Sequence, residues 1–104
     1  MRGVKVKLLM SWDIRPGLET AYFNFVVHEF APAMGRLGLK PIEAWYTVYG
    51  EAPQILTSAE ADDQATMERI LQNAEWQRLK QKLLTYVLHF RQKVVPSTDR
   101  FQLL

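Results

Sequence analysis

The sequence predicts an α+β domain of ferredoxin-like βαββαβ order: an antiparallel four-stranded sheet with both helices on one face. Three observations carry this. Stretches near residues 4–12, 42–48 and 54–59 alternate or run in strand fashion. Stretches from Leu18 and from Asn73 place apolar residues at three- and four-residue steps. Pro and Gly separate the strand-like and helix-like stretches.

Val4, Val6, Leu8, Met10 and Trp12 alternate with Lys5, Lys7, Leu9 and Ser11, a strand with one apolar face. Arg15-Pro16-Gly17 breaks it, because Pro removes a donor and Gly allows positive φ. From Leu18 the stripe Leu18, Tyr22, Val26, Phe30, Ala33 and Leu37 is helical. Phe23, Val27 and Met34 widen it; Asn24, His28 and Arg36 lie away from it. Pro32 takes one bond out of the helix, so the regular helix is expected to reach about Phe30 and continue irregularly to Leu37.

Ile42, Ala44, Tyr46 and Val48 alternate with Glu43, Trp45, Thr47 and Tyr49. Gly50-Glu51-Ala52-Pro53 is a turn and Gln54–Ala59 the next strand, so residues 42–59 read as a hairpin. Asp62 or Asp63 caps a short helix with Met67, Ile70 and Leu71. Asn73 caps a longer one, expected to carry Trp76, Leu79, Leu83, Val87 and Phe90 on one stripe. Leu84 and Leu88 form a second, narrower stripe on it, a seat for the apolar tail Phe101–Leu104. Val94, Val95 and Pro96 begin the last strand.

The chain of 104 residues reads as a single domain, 1–104, with 48% hydrophobic and 23% charged residues. Absence of cysteine excludes disulfides, thiolate metal sites and cysteine nucleophiles. Thirteen basic residues against eleven acidic ones leave +2, with the charges interleaved. That is a solvated face, as at Glu68–Arg69 and Arg78–Lys80–Lys82, and argues against a nucleic-acid partner. No apolar run approaches the roughly 18 residues of a membrane span. Lys5 and Lys7 interrupt the first apolar stretch, which spoils a signal-peptide core, so a cytoplasmic location is expected.

The helix-facing side of the sheet is assigned Val4, Val6, Leu8, Met10 and Trp12; Ile42, Ala44, Tyr46 and Val48; Ile55, Thr57 and Ala59. The opposite face then carries Lys5, Lys7, Leu9 and Ser11; Glu43, Trp45, Thr47 and Tyr49; Gln54, Leu56, Ser58 and Glu60. Leu9, Leu56, Trp45 and Tyr49 on that mixed face have nothing in the chain left to cover them, the mark of an interface. Two copies meeting there would enclose a cavity with aromatic walls and a few polar groups. Lys7, Ser11, Trp45, Thr47 and Tyr49 are the candidate ligand-binding residues. Lys7 is suited to an anionic group, Trp45 and Tyr49 to a flat one. The plainer reading makes Lys7, Glu43 and Glu60 cross-strand ion pairs and the aromatics a seal.

Asp13-Ile14-Arg15-Pro16-Gly17 after the first strand, Tyr22-Phe23-Asn24-Phe25, Trp45–Tyr49 with Gln54-Ile55-Leu56, Asn73–Leu79 and Phe90–Pro96 together resemble the dimeric α/β-barrel superfamily. Within it the chain resembles the NIPSNAP family, with antibiotic-biosynthesis-monooxygenase-like barrels as neighbours. The resemblance implies a homodimer whose two sheets form the barrel, and names no catalytic residue. It leaves three readings: a binder of a small molecule between the sheets, a cofactor-independent monooxygenase, or a structural dimerisation module. A haem-degrading role meets no Asn on the first strand, and Trp76 lies on a core stripe.

No catalytic residue, metal ligand set or cofactor follows from the sequence. His28 projects opposite the first helical stripe and is expected to be solvated. His89 is expected at a helix edge near its C-terminal end, where the helix dipole favours its cation. Neither Gly-x-Ser-x-Gly nor a metal-spaced histidine pair occurs.

Overall fold

The computed structural model describes residues 4–46 and 54–97. Thr47, Val48 and Tyr49, the turn 50–53 and the tail 98–104 lie outside the described residues. The element order is β1 (Val6–Ile14), α1 (Glu19–Phe25), a π-helical turn (Val26–Phe30), α2 (Ala31–Leu37), β2 (Lys40–Tyr46), β3 (Ile55–Ala61), α3 (Gln64–Gln72), α4 (Ala74–Leu84) and β4 (Val87–Pro96). The strands run β2-β3-β1-β4 across one sheet, every neighbouring pair antiparallel. This is the expected α+β, ferredoxin-like arrangement. Among the described residues no helix is long and apolar enough to cross a membrane.

The strand β1 lies inside the sheet and sends Val6, Leu8, Met10, Trp12 and Ile14 into the core. The expected strand started two residues too early, since Val4 is exposed. Trp12 organises the centre. Its ring stacks on Phe90 (centroids 5.9 Å apart, planes 10° apart) and meets Tyr22 and Phe30 edge-on. The indole Nε1–H donates to the Tyr22 hydroxyl at 2.9 Å, which gives a buried donor its partner. Burial pushes the Tyr22 phenol above its ordinary pKa, partly opposed by that bond.

The segment Glu19–Leu37 is one helical run, and its irregularity precedes Pro32 instead of following it. The Ala31 N–H reaches back five residues to the Val26 carbonyl. The widened turn inserts one residue ahead of Pro32 and re-phases the helix. Tyr22, Phe25, Phe30, Ala33 and Met34 are therefore the buried set. The expected stripe omitted Phe25 and included Phe23 and Val27, which are exposed. In an unbroken α-helix, five residues from Phe25 to Phe30 would turn roughly 140° past alignment. Across the π turn their rings lie 5.8 Å apart. Gly38, at φ +101°, ends the run in the left-handed conformation that Gly accepts without strain.

The Asp63 side chain caps α3 by accepting from the Thr66 N–H, and Asn73 caps α4 by accepting from the Glu75 N–H. Trp76, Leu79 and Leu83 face the core as expected. The α4 helix stops at Leu84, however, and Val87–Phe90 open β4. A β-branched and aromatic run at a four-residue step fits either element, and pairing with β1 decided it. The Leu84–Leu88 pair therefore spans a helix end and a strand and forms no helical stripe.

The edge strand β2 departs from expectation as well. Ile42, Ala44 and Tyr46 are exposed rather than packed under the helices. Residue 42 is the extra one in a bulge against β3, where Pro41 pairs with Ala59 and Glu43 with Ser58. Pro41 is tolerated there because an edge strand has one unpaired side.

Candidate functional site

Strand alternation places Lys7, Leu9 and Ser11 of β1 on the sheet face away from the core, with Leu56 and Ser58 of β3 and Glu43 and Trp45 of β2. The register sets Lys7 opposite Glu60, Leu9 opposite Ser58, and Trp45 opposite Leu56. These are the face assignments drawn from the sequence. Lys7, Leu9, Glu43, Trp45, Leu56, Thr57 and Ser58 surround one small depression of about 10 Å³, room for roughly one water-sized group.

Two polar groups in it are unusual for a sheet surface. The Lys7 side chain is only 7% exposed, and its Nζ stands 4.0 Å from Glu43 Oε1. Ser58 is 5% exposed, and its Oγ is buried with no hydrogen-bond partner among the described residues. The other such atom is Arg15 Nε, on a guanidinium whose Nη2 reaches the Leu84 carbonyl at 3.5 Å. A buried cation beside an unsatisfied hydroxyl can take an oxygen of an anionic or strongly polar molecule.

Of the five candidate residues, Lys7 and Trp45 line the depression. Ser11 lies on the same face but further along β1, fully buried. Thr47 and Tyr49 lie outside the described residues. Ser58 was placed on this face but not singled out, because nothing in a serine's sequence position shows whether its hydroxyl finds a partner. The expected ion pairing holds for Lys7 with Glu43, and for Glu60 with Lys5 instead of Lys7. Glu60 also accepts from the Ser97 hydroxyl.

One expectation about this face needs correction. Leu9 is buried within the single chain, and Leu56 is half-buried. Central strands have cross-strand neighbours on both sides, here Ser58 and Lys93 for Leu9, and these shield it. The exposed large apolar groups of the sheet sit on edge strand β2: Ile42, Trp45 (53% exposed) and Tyr46.

His28 is exposed, as expected. It borders a groove of about 310 Å³ with Glu29, Arg36, Glu75, Arg78 and Lys82. Arg36–Glu75 (3.0 Å) and Lys82–Glu29 (2.8 Å) pair in it, a solvated polar seam between helices. His89 is not at a helix edge. It lies in β4 at φ +58°, and its Nδ1 is 2.8 Å from Asp13 Oδ2. The positive φ follows from a bulge. From Ser11 to Asp13, β1 advances two residues while β4 passes from Arg91 to Leu88, three residues. Among the described residues no three His, Asp or Glu gather as a metal site.

No family model and no curated protein matches the sequence. Solved structures do match the fold. A NIPSNAP family protein from Agrobacterium tumefaciens superposes with TM-score 0.66 at 18% identity, over 95% of this chain and 90% of that one. A NIPSNAP-like domain protein from Burkholderia xenovorans gives 0.67 at 17%, over 100% and 93%. A hypothetical Arabidopsis thaliana protein gives 0.75 at 8%, over 97% and 95%. The likeness spans nearly the whole of each chain, and at these identities it is one of fold: the chain has the ferredoxin-like fold found in NIPSNAP family proteins.

Proposed function

We propose that the chain acts as a homodimer that binds a small anionic molecule with a flat ring between its two outer sheet faces. The observation that carries this reading is the unpartnered, buried Ser58 hydroxyl lining one depression with the buried Lys7 side chain. The depression takes one oxygen-sized group of such a ligand. Its ring would lie over Trp45, against the second copy. On that face the exposed Trp45 of β2, with the half-buried Leu56 opposite it, would supply the apolar part of the self-association surface. The NIPSNAP-like neighbours are uncharacterised in function and support the fold alone.

Two measurements test the reading. Sedimentation equilibrium of the purified chain should give twice the 12.1 kDa protomer mass, and Trp45→Glu should shift it toward the monomer. Calorimetric titration with benzoate and 1-naphthoate should give heats that Lys7→Met abolishes. A parent chain that stays monomeric sinks the dimer. A dimer that binds neither carboxylate leaves a dimerisation module in its place.

A further inference from the structure

All four strands bring one polar side chain to the same end of the sheet. Asp13 stands near the end of β1, Tyr46 ends β2, Gln54 precedes β3, and His89 lies near the start of β4. Hydrogen bonds join them in a chain. The Gln54 backbone N–H donates to Asp13 Oδ1 at 2.8 Å, and Gln54 Oε1 accepts from the Ile14 N–H at 2.7 Å. Gln54 Nε2 donates to the Tyr46 hydroxyl at 3.3 Å. The second oxygen of Asp13 is left for His89 Nδ1, at 2.8 Å.

We propose that Asp13 and His89 form a proton-transfer dyad, with His89 Nε2 as general base toward a small molecule bearing a weakly acidic C–H or O–H. An ionised carboxylate only accepts, so the neutral imidazole must carry its hydrogen on Nδ1 and keep the Nε2 lone pair free. Asp13 is held ionised: the Gln54 backbone bond, then the His89 bond, lower its pKa. His89 Nε2 makes no hydrogen bond among the described residues, and the side chain is 76% exposed, open to a substrate. The backbone adds a separate argument. His89 is the single non-glycine residue at positive φ among those described. That φ belongs to the bulge in β4, and bulges beside active sites commonly re-aim a side chain, here toward Asp13. The dyad is also distinct from the Lys7 depression: Asp13 stands six positions along β1 from Lys7, roughly 20 Å.

The probe is 5-nitrobenzisoxazole. His89 Nε2 takes its C3 proton, the C–H electron pair forms the nitrile, and the N–O bond breaks to release 2-cyano-4-nitrophenolate. The imidazolium then returns its proton to water. His89→Gly, which suits the positive φ and keeps the fold, should lower the rate about 10²-fold, the lower end for a positioned general base. Asp13 is a positioning residue, so its readout is the ring itself. In ¹⁵N spectra at high pH, His89 should show the Nδ1–H tautomer and His28 the Nε2–H form, and Asp13→Asn should move His89 to the second. A rate unchanged by His89→Gly, or an Nε2–H tautomer for His89 in the parent chain, overturns the dyad. Benzoate binding at Lys7 bears on neither measurement.

Discussion

Replacing Ser58 with alanine should stabilise the unliganded chain while weakening its affinity for carboxylates. Burying a hydroxyl without a hydrogen bond costs about 1–3 kcal/mol, judged from protein mutational data. Ser58 meets that condition, since its Oγ is buried and unpartnered. Alanine removes the penalty and keeps the β-carbon. The void it adds is about one oxygen atom beside a depression of about 10 Å³. At about 24 cal/mol per Å³ of cavity the added cost is a few tenths of a kcal/mol. The net expectation is a gain near 1 kcal/mol, which for a domain of this size raises Tm by roughly 4–8 °C. The assay is calorimetric melting and urea denaturation at fixed protomer concentration, because dimerisation would make Tm concentration-dependent. Benzoate affinity is measured on the same samples. An unchanged or lowered Tm in Ser58→Ala would mean that the hydroxyl already has a partner, protein or water. Ser58 would then call for no ligand oxygen. A higher Tm with weaker binding is the signature of a group whose unsatisfied state serves function.

Tyr22→Phe should cost about 1–3 kcal/mol in urea denaturation, because it strands the buried Trp12 Nε1–H; a loss below about 0.5 kcal/mol would show that another acceptor takes over. Asn73→Ala should cost about 1 kcal/mol by removing the α4 cap, with helical circular dichroism little changed at low temperature. The carboxyl of Asp13 has a folded pKa below its unfolded value, so its contribution is complete above about pH 5 and is lost as pH falls through and below about 4. Urea midpoints from pH 7 to pH 3 should therefore fall less steeply in Asp13→Asn than in the parent, in which Asp63 contributes with the same sign; superimposable profiles would remove Asp13 from the account.

Much of the fold was legible because it follows from alternation and caps, which are local. The two sheet faces, the turn after β1 and the caps at Asp63 and Asn73 are read directly from residue order. The misread elements are those that pairing decides. Val87 and Phe90 fit a helix stripe through Leu83, yet the open edge of β1 recruited them into β4. With them went His89, whose meeting with Asp13 spans 76 positions of sequence and leaves no local trace. Ile42, Ala44 and Tyr46 have inward-facing strand spacing, but spacing does not say that β2 is the edge strand. At the candidate site, Lys7 and Trp45 were visible as a cation and an aromatic on one face. Ser58 was not, because being unsatisfied is a property of surroundings.

The π turn at Val26–Phe30 makes the first helix sensitive to length as well as to composition. Deleting one residue there would leave an unbroken α-helix with the buried residues on both sides still in phase, whereas winding all of those residues as α-helix would rotate everything beyond them by about 100° relative to the first half. Ala33 and Met34 would then leave the core as Tyr22 and Phe25 stayed in it. Substitutions on the exposed side, at Val27 or His28, leave that phase intact. In any protein that shares the fold but lacks the π turn, a gap aligned to 26–30 restores the register of the buried residues on both sides, whereas an ungapped alignment matches core positions to surface ones.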